Sequence, residues 1–154
     1  MIKSLDSITK GVRGDAVFVL INLAARLSNK AARVRLGAMG TWPGQIPIVL
    51  CLLAEEGLSQ KELIERTRIE QSTMAEHLDR MDRDGLIYRV RDKQDRRVFR
   101  IFLSDKVKES SDWLMRELEK GFRSYTAGIS AKDLERCSRT LAEIIGNMEE
   151  YTNN

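Results

Sequence analysis

The sequence predicts a mainly α-helical protein with one small β-hairpin, an α+β chain in which helices form most of the structure. Apolar residues recur every three or four positions over 15–36, over 46–54 and along two long stretches after residue 104. Ser59 and Glu62 form a Ser-x-x-Glu sequence, which is typical of a helix start. Two β-rich segments, 86–91 and 98–103, flank a charged hexapeptide, and this pattern predicts the hairpin.

Composition and charge limit the classes of protein. The 154 residues are 42% hydrophobic and 32% charged, which argues against a disordered chain. The uncharged stretch 36–54 contains glycines and prolines in its first two thirds, so only 46–54 is richly apolar, too short for a bilayer span. Cys51 and Cys137 form no CxxC motif. We expect both to pack in the core of a cytoplasmic protein without a membrane segment.

Two short helices joined by a tight turn are predicted in the middle of the chain. Ser59 caps the first, with Leu58 as the hydrophobic staple, and this helix ends near Arg66. The second runs from about residue 71 to residue 84 and stops at Gly85. Its predicted core face carries Met74, Leu78 and Met81, and its other face is polar. This arrangement is the helix-turn-helix pattern.

The hairpin that follows is strongly basic. Residues 88–100 hold six basic and two acidic side chains, a local net charge of +4, whereas the whole chain carries only +3. A helix-turn-helix followed by a basic hairpin predicts a winged helix-turn-helix domain, which we place at residues 41–104.

Amphipathic helices flank this domain on both sides. A helix capped by Ser104 is predicted to continue to about residue 127, and Ser130 is predicted to cap the last helix. Neither terminal region has enough core of its own, so 1–40 and 105–154 are predicted to form a helical dimerisation region. A monomer would expose the apolar residues Leu114, Leu118, Leu134, Leu141, Ile145 and Met148.

The segment 45–104 resembles the MarR family of bacterial transcription regulators. The resemblance rests on LDRMDRDGLIYR at 78–89, on Asp95-Arg96-Arg97 and on IFLS at 101–104. Val107 departs from it, because the family usually has glycine there. The resemblance implies a sequence-specific DNA-binding repressor that acts as a homodimer on a palindromic operator. It also implies relief by a small phenolic or carboxylic ligand.

The second helix of the helix-turn-helix is the predicted recognition helix. Its N-terminal residues would enter the major groove, where glutamine can address adenine and arginine can address guanine. His77 is the single histidine of the chain, so we expect a hydrogen-bonding contact and no metal site or cofactor. The candidate DNA-binding residues of this helix are Gln71, Ser72, Thr73, Glu76, His77 and Arg80.

The hairpin is the predicted wing. The resemblance implies that Asp95 orients one arginine and that an arginine of the tip, Arg96 or Arg97, reaches a narrow minor groove. Relatives bind small ligands where the dimerisation helices meet the winged domain. This places Trp42, Arg91 and Trp113 in a candidate effector pocket.

The two other classes of function to consider are an enzyme and a module that binds only protein. The sequence contains no Walker loop, H-E-x-x-H, G-x-S-x-G or G-x-G-x-x-G motif, and one histidine leaves little general-base chemistry, so we expect no enzyme. The alternative is a winged-helix module that binds only protein. The basic wing argues against that module, and a steep salt dependence of DNA binding would separate the two.

Overall fold

The structure, a computed structural model, describes residues 16–36 and 43–153. It is mostly helical with one small antiparallel sheet, which confirms the predicted fold class. The chain divides into two compact units, of which the first ends at Leu118 and the second comprises 119–154. None of the described helices has the length and hydropathy of a membrane span. The elements in chain order are α1 Ala16–Leu36, a 3-10 turn Pro43–Gln45, α2 Ile46–Ala54, β1 Leu58–Ser59, α3 Gln60–Thr67, α4 Gln71–Arg83, β2 Ile87–Arg91, β3 Phe99–Leu103, α5 Asp105–Glu109, α6 Ser111–Tyr125 and α7 Ala131–Asn153.

The core of the first unit lies between α2, the helix-turn-helix and the sheet. The predicted core face of α4 is confirmed, because Met74, Leu78 and Met81 are at most 1% exposed. Burying each such side chain contributes roughly 1.5–3 kcal/mol, so α4 is held mainly by this face. The other buried residues include Ile48, Leu52, Leu58, Leu63, Ile101 and Leu103.

The start of α2 is irregular. Pro43 opens a 3-10 turn, and Pro47 lies in the first turn of the α-helix, where an amide would lack a helical partner in any case. The sequence also predicts Thr41 as the cap of this helix, and that residue lies outside the described ones.

The sheet has a third strand that was not predicted. Its order is β1-β3-β2, with Leu58 opposite Ile101 and Ile87 opposite Leu103. Gly57 has φ +76° and donates its amide to the Ile101 carbonyl at 3.0 Å, which turns the chain into β1. Leu58 therefore has a role beyond a hydrophobic staple, since its strand fastens the hairpin to the start of α3.

The helix predicted after Ser104 is interrupted. Ser110 ends α5, and its hydroxyl donates to the Lys106 carbonyl at 2.9 Å, a local bond that competes with regular helix. Ser104 occupies the N-cap position, but its side chain makes no capping bond within the described residues. The expectation that a protomer exposes Leu114 was wrong, because this residue is 1% exposed and belongs to the core. Leu118 is also partly buried against that core.

The second unit contains α7, whose predicted cap is confirmed. The Asp133 amide donates to the Ser130 hydroxyl at 3.1 Å, and that hydroxyl donates to the Asp133 carboxylate at 2.7 Å. The prediction that Cys137 packs in the core is wrong, because this residue is exposed in the protomer. Cys51 is partly buried and packs against the core of the first unit.

Candidate nucleic-acid interface

The interface begins with the capped start of α3. The Glu62 amide donates to the Ser59 hydroxyl at 3.3 Å, and the Ser59 amide donates to the Glu62 carboxylate at 2.7 Å. This reciprocal pair is the predicted capping box. At the other end of α3, Arg68 adopts a left-handed conformation with φ 55°, which turns the chain toward α4. Leu63 of α3 is fully buried in the core that also holds α4.

The first turn of α4 is polar and exposed. Gln71, Ser72 and Thr73 face solvent, and no side chain in the described part of the chain caps the amides of this turn. Such amides and the positive end of the helix dipole favour anions, including phosphate. Glu76 and Arg80 continue this face beyond the first turn, as the sequence predicted.

His77 differs from the rest of that face. Its side chain is half-buried, and a Cβ added to Gly44 would lie only 2.9 Å from its Nε2 atom. Burial lowers the pKa of His77 below its ordinary value, and the positive charge of Arg80 acts in the same direction. His77 thus lies on the predicted polar face of α4 but is less exposed than its neighbours there. The physical reason is that the 3-10 turn before α2 approaches α4 at a glycine.

Arg89 connects the sheet to the C-terminal half of α4. Its Nη2 atom donates to Asp79 Oδ1 at 2.5 Å, and its Nε atom lies 3.2 Å from Asp82 Oδ2. This arginine therefore does not add to the open positive charge of the wing.

At the tip of the wing, the Arg97 side chain is hydrogen-bonded to the Asp95 carboxylate. Arg97 donates from Nε to Asp95 Oδ1 and from Nη2 to Asp95 Oδ2, both at 3.0 Å, and its amide also donates to Oδ1. These bonds lower the pKa of Asp95, so the carboxylate stays ionised near neutral pH. The Arg97 side chain remains 91% exposed, so this two-point contact orients the guanidinium while leaving it open to a ligand.

Arg100 has a structural connection that the sequence reasoning missed. Its Nε atom donates to Asp92 Oδ2 at 2.6 Å, and its Nη1 atom donates to Glu62 Oε2 at 3.0 Å. The guanidinium thereby joins the base of the wing to the capping box of α3. Two of the partners are 38 residues apart in the chain, and no sequence motif signals such a contact.

Three further cations of the wing are not paired with acids in the described part of the chain. Within residues 16–36 and 43–153, Arg91, Lys93 and Arg96 have no carboxylate within ion-pair distance. Arg91 donates to the Arg96 carbonyl at 3.0 Å and lies over the Phe99 ring, 5.2 Å from its centroid. The described wing thus carries exposed positive charge that its own acids do not pair.

The three predicted effector residues are not brought together by the described parts of the chain. Trp42 lies outside them, and Trp113 packs partly buried against the core of the first unit. Arg91 lines a cleft of about 350 Å³ on the wing with Val90 and Phe102. A larger groove of about 530 Å³ between α3 and the wing is lined by residues that include Lys61, Arg97 and Phe99. The effector pocket stays a prediction.

Known proteins share this sequence pattern and this architecture. Residues 43–99 match the sequence model of the MarR family. The HTH-type transcriptional regulator YybA of Bacillus subtilis is 22% identical over 129 residues, which cover 84% of this chain and 86% of YybA.

Two solved structures show the same fold. A MarR protein from Peptoclostridium difficile has a TM-score of 0.83 at 15% identity, covering 97% of this chain and 93% of its own. A putative MarR-family regulator from Listeria monocytogenes, complexed with 26mer DNA, has a TM-score of 0.79 at 16% identity, covering 86% and 89%. MarR-family proteins are transcription regulators and not enzymes; residues 43–99 of this chain match their sequence model, and the chain shares its fold with the two solved MarR structures.

Proposed function

We propose that this protein is a transcription repressor that binds a palindromic operator as a homodimer. One observation carries the proposal: the uncapped polar first turn of α4 and the basic tip of the wing are both uncovered in the described protomer. The comparisons support DNA-binding regulation in general. The palindrome, the dimer and repression are the parts that we add.

The two exposed features suit different parts of a DNA duplex. The N-terminal turn of α4 offers Gln71, Ser72 and Thr73 to base edges or phosphates in the major groove. Arg80, one turn beyond Glu76, extends the same surface. Arg97, oriented by Asp95 and helped by Arg96, reaches the adjacent minor groove, whose negative potential attracts a guanidinium. The Listeria monocytogenes relative bound to 26mer DNA supports this use of the fold.

Dimer formation is inferred from exposed apolar side chains on separate helices. On α1, Phe18 is 46% exposed and Leu27 is 56% exposed, and on α7 Ile145 is 55% exposed. Exposed apolar surface of this extent marks an interaction site, and a second copy of the chain is the occupant that would cover it on both chains at once. A two-fold dimer would place the two α4 helices about 34 Å apart, one DNA turn.

Repression would result from the position of the dimer on the DNA, and a ligand that releases the dimer would relieve it. A dimer on an inverted repeat inside a promoter would block access to it. We propose that a small phenolic or carboxylic ligand shifts the two α4 helices out of register and so releases the DNA. Trp42, Arg91 and Trp113 remain the candidate residues for that ligand.

Selection from random duplex DNA tests the proposal. We expect an inverted repeat with half-site centres about 10 base pairs apart. Binding to the selected site should weaken steeply with salt, and Arg97→Ala should reduce the slope of log affinity against log salt by about one unit per protomer contact. Arg80→Ala should relax one position in each half-site.

A matched control is Arg136→Ala, which removes an arginine that is exposed and ion-paired but lies outside the winged domain. Its affinity and slope should equal those of the wild type. Recovery of no enriched sequence, with affinity independent of salt, would contradict DNA binding. An enriched single half-site bound by a monomer would contradict the dimer.

A further inference from the structure

Arg100 stands at the centre of a hydrogen-bonded chain that runs from α3 to the tip of the wing. On one side its Nη1 atom donates to Glu62, whose same carboxylate oxygen accepts from the Ser59 amide. It also donates to the Gly57 carbonyl at 3.3 Å. The guanidinium is thereby anchored on the segment that starts the helix-turn-helix.

On the other side the chain continues into the tip. Arg100 Nε donates to Asp92 Oδ2, and Asp92 Oδ1 accepts from the amides of Gln94 at 2.7 Å and Asp95 at 3.0 Å. The carboxylate of Asp95 then accepts from Arg97. The guanidinium of Arg97 is therefore connected to the capping box of α3 through Asp95, Asp92 and Arg100 in turn.

The backbone of the wing pairs with the segment before α3 over only a short ladder. A two-stranded hairpin is marginally stable by itself, and β1 adds only two residues of pairing. Arg100 lies opposite Ser59 in that short ladder, so its side chain reinforces the edge at which the hairpin meets the start of α3.

We propose that Arg100 is a positioning residue for DNA binding, which holds the wing at a fixed orientation to α3 so that Arg97 meets the minor groove while α4 lies in the major groove. Arg100 itself needs no contact with DNA, because its donors are directed at Asp92, Glu62 and Gly57. The proposal rests on the DNA-binding function proposed above. A lysine would not replace it, since one ammonium group lacks the planar fork that contacts both carboxylates.

A double-mutant cycle with two DNA readouts tests this role. Affinity and salt slope on the selected operator are measured for the wild type, Arg100→Gln, Arg97→Ala and the double variant. Each single variant should weaken binding about tenfold and lower the slope by about one unit. The double variant should show a loss close to that of one single variant, because both changes remove the same groove contact. Arg136→Gln is the control and should bind as the wild type does.

Footprinting separates positioning from general damage to the fold. In Arg100→Gln the minor-groove protection under the wing should disappear, while the major-groove protection under α4 persists. Losses that multiply in the double variant, with the slope falling by about two units, would show a direct DNA contact and overturn the proposal. Unchanged binding by Arg100→Gln would overturn it as well.

Arg100→Lys keeps the charge and serves as a second variant if the glutamine variant unfolds. This variant should have a melting temperature close to that of the wild type but weaker minor-groove protection. Full protection would refute the need for the planar guanidinium group. Failure of the underlying function looks different, because the wild type itself would then give no salt-dependent binding and no footprint in either groove.

Discussion

Glu62→Ala tests how much the capping box contributes to the winged domain. The carboxylate oxygen Oε2 accepts from the Ser59 amide at 2.7 Å, the Ser59 hydroxyl at 2.6 Å and Arg100 at 3.0 Å. Alanine removes all three acceptor contacts but leaves the helix backbone intact. The Ser59 amide then has to find water at a half-buried position.

The expected loss of stability follows from these contacts. Losing half of a capping box lowers the free energy of unfolding by about 1–2 kcal/mol. For a chain of this size the melting temperature should fall by about 3–6 °C. Thermal unfolding followed by circular dichroism measures the change. Glu65→Ala on the same helix is the control, because Glu65 is exposed and its Oε1 atom lies 3.9 Å from Lys61 Nζ. The control should change stability by less than about 0.5 kcal/mol.

The pH dependence of the same variant adds a second check. Hydrogen bonds from Ser59 lower the pKa of Glu62 below its ordinary value of 4.5. Its stabilising contribution is therefore complete above pH 4.5 and is lost as the pH falls through the lower native pKa. The difference in melting temperature between wild type and variant should shrink over that acidic range. Equal melting temperatures for Glu62→Ala and Glu65→Ala at neutral pH would refute the reasoning.

The remaining substitutions also have defined outcomes. Leu63→Ala removes a fully buried side chain and should lower the free energy of unfolding by about 3–5 kcal/mol in a urea titration; a loss under about 1 kcal/mol would contradict the packing. Gly44→Ala should displace the His77 ring, so that the pKa measured by NMR rises toward 6.5, and no movement would show that the close approach is absent. Because the native pKa of His77 is lowered, its contribution is complete above pH 6.5 and is lost as the pH falls through the native pKa, a slope that His77→Gln should remove. Leu141→Asp should dissociate or unfold the dimer in sedimentation at micromolar concentration, since an unpaired carboxylate is costly to bury, and an intact dimer would remove α7 from the interface.

The features predicted correctly from the sequence are those that depend on neighbouring residues. The spacing of Met74, Leu78 and Met81 places them on one helix face, and the structure buries that face. Ser59 and Glu62 are three positions apart, the separation that a capping box requires. The β-rich segments and the charged hexapeptide predicted the hairpin in the same way.

Two of the features that the sequence did not predict arise from contacts between distant parts of the chain. A strand of two residues, β1, has no alternation of its own and exists because β3 offers it a partner. His77 follows the polar periodicity of α4, yet the backbone at Gly44, 33 positions earlier, lies close to its ring. The interruption at Ser110 is local, but serine is common in helices, so its side-chain bond to Lys106 carries no distinct pattern.

The sequence by itself determined the helix-turn-helix, the basic wing and the residues of the α4 surface, because helical periodicity, capping and turn chemistry act within a few positions of the chain. Only the tertiary structure decided which of the wing's cations are held by acids and which remain open. Arg89, Arg97 and Arg100 look alike in sequence, but the first fastens the sheet to α4, the second is presented at the tip and the third joins the wing to α3. Charge pairing depends on distances through space, and those distances exist only once the strands and helices have packed.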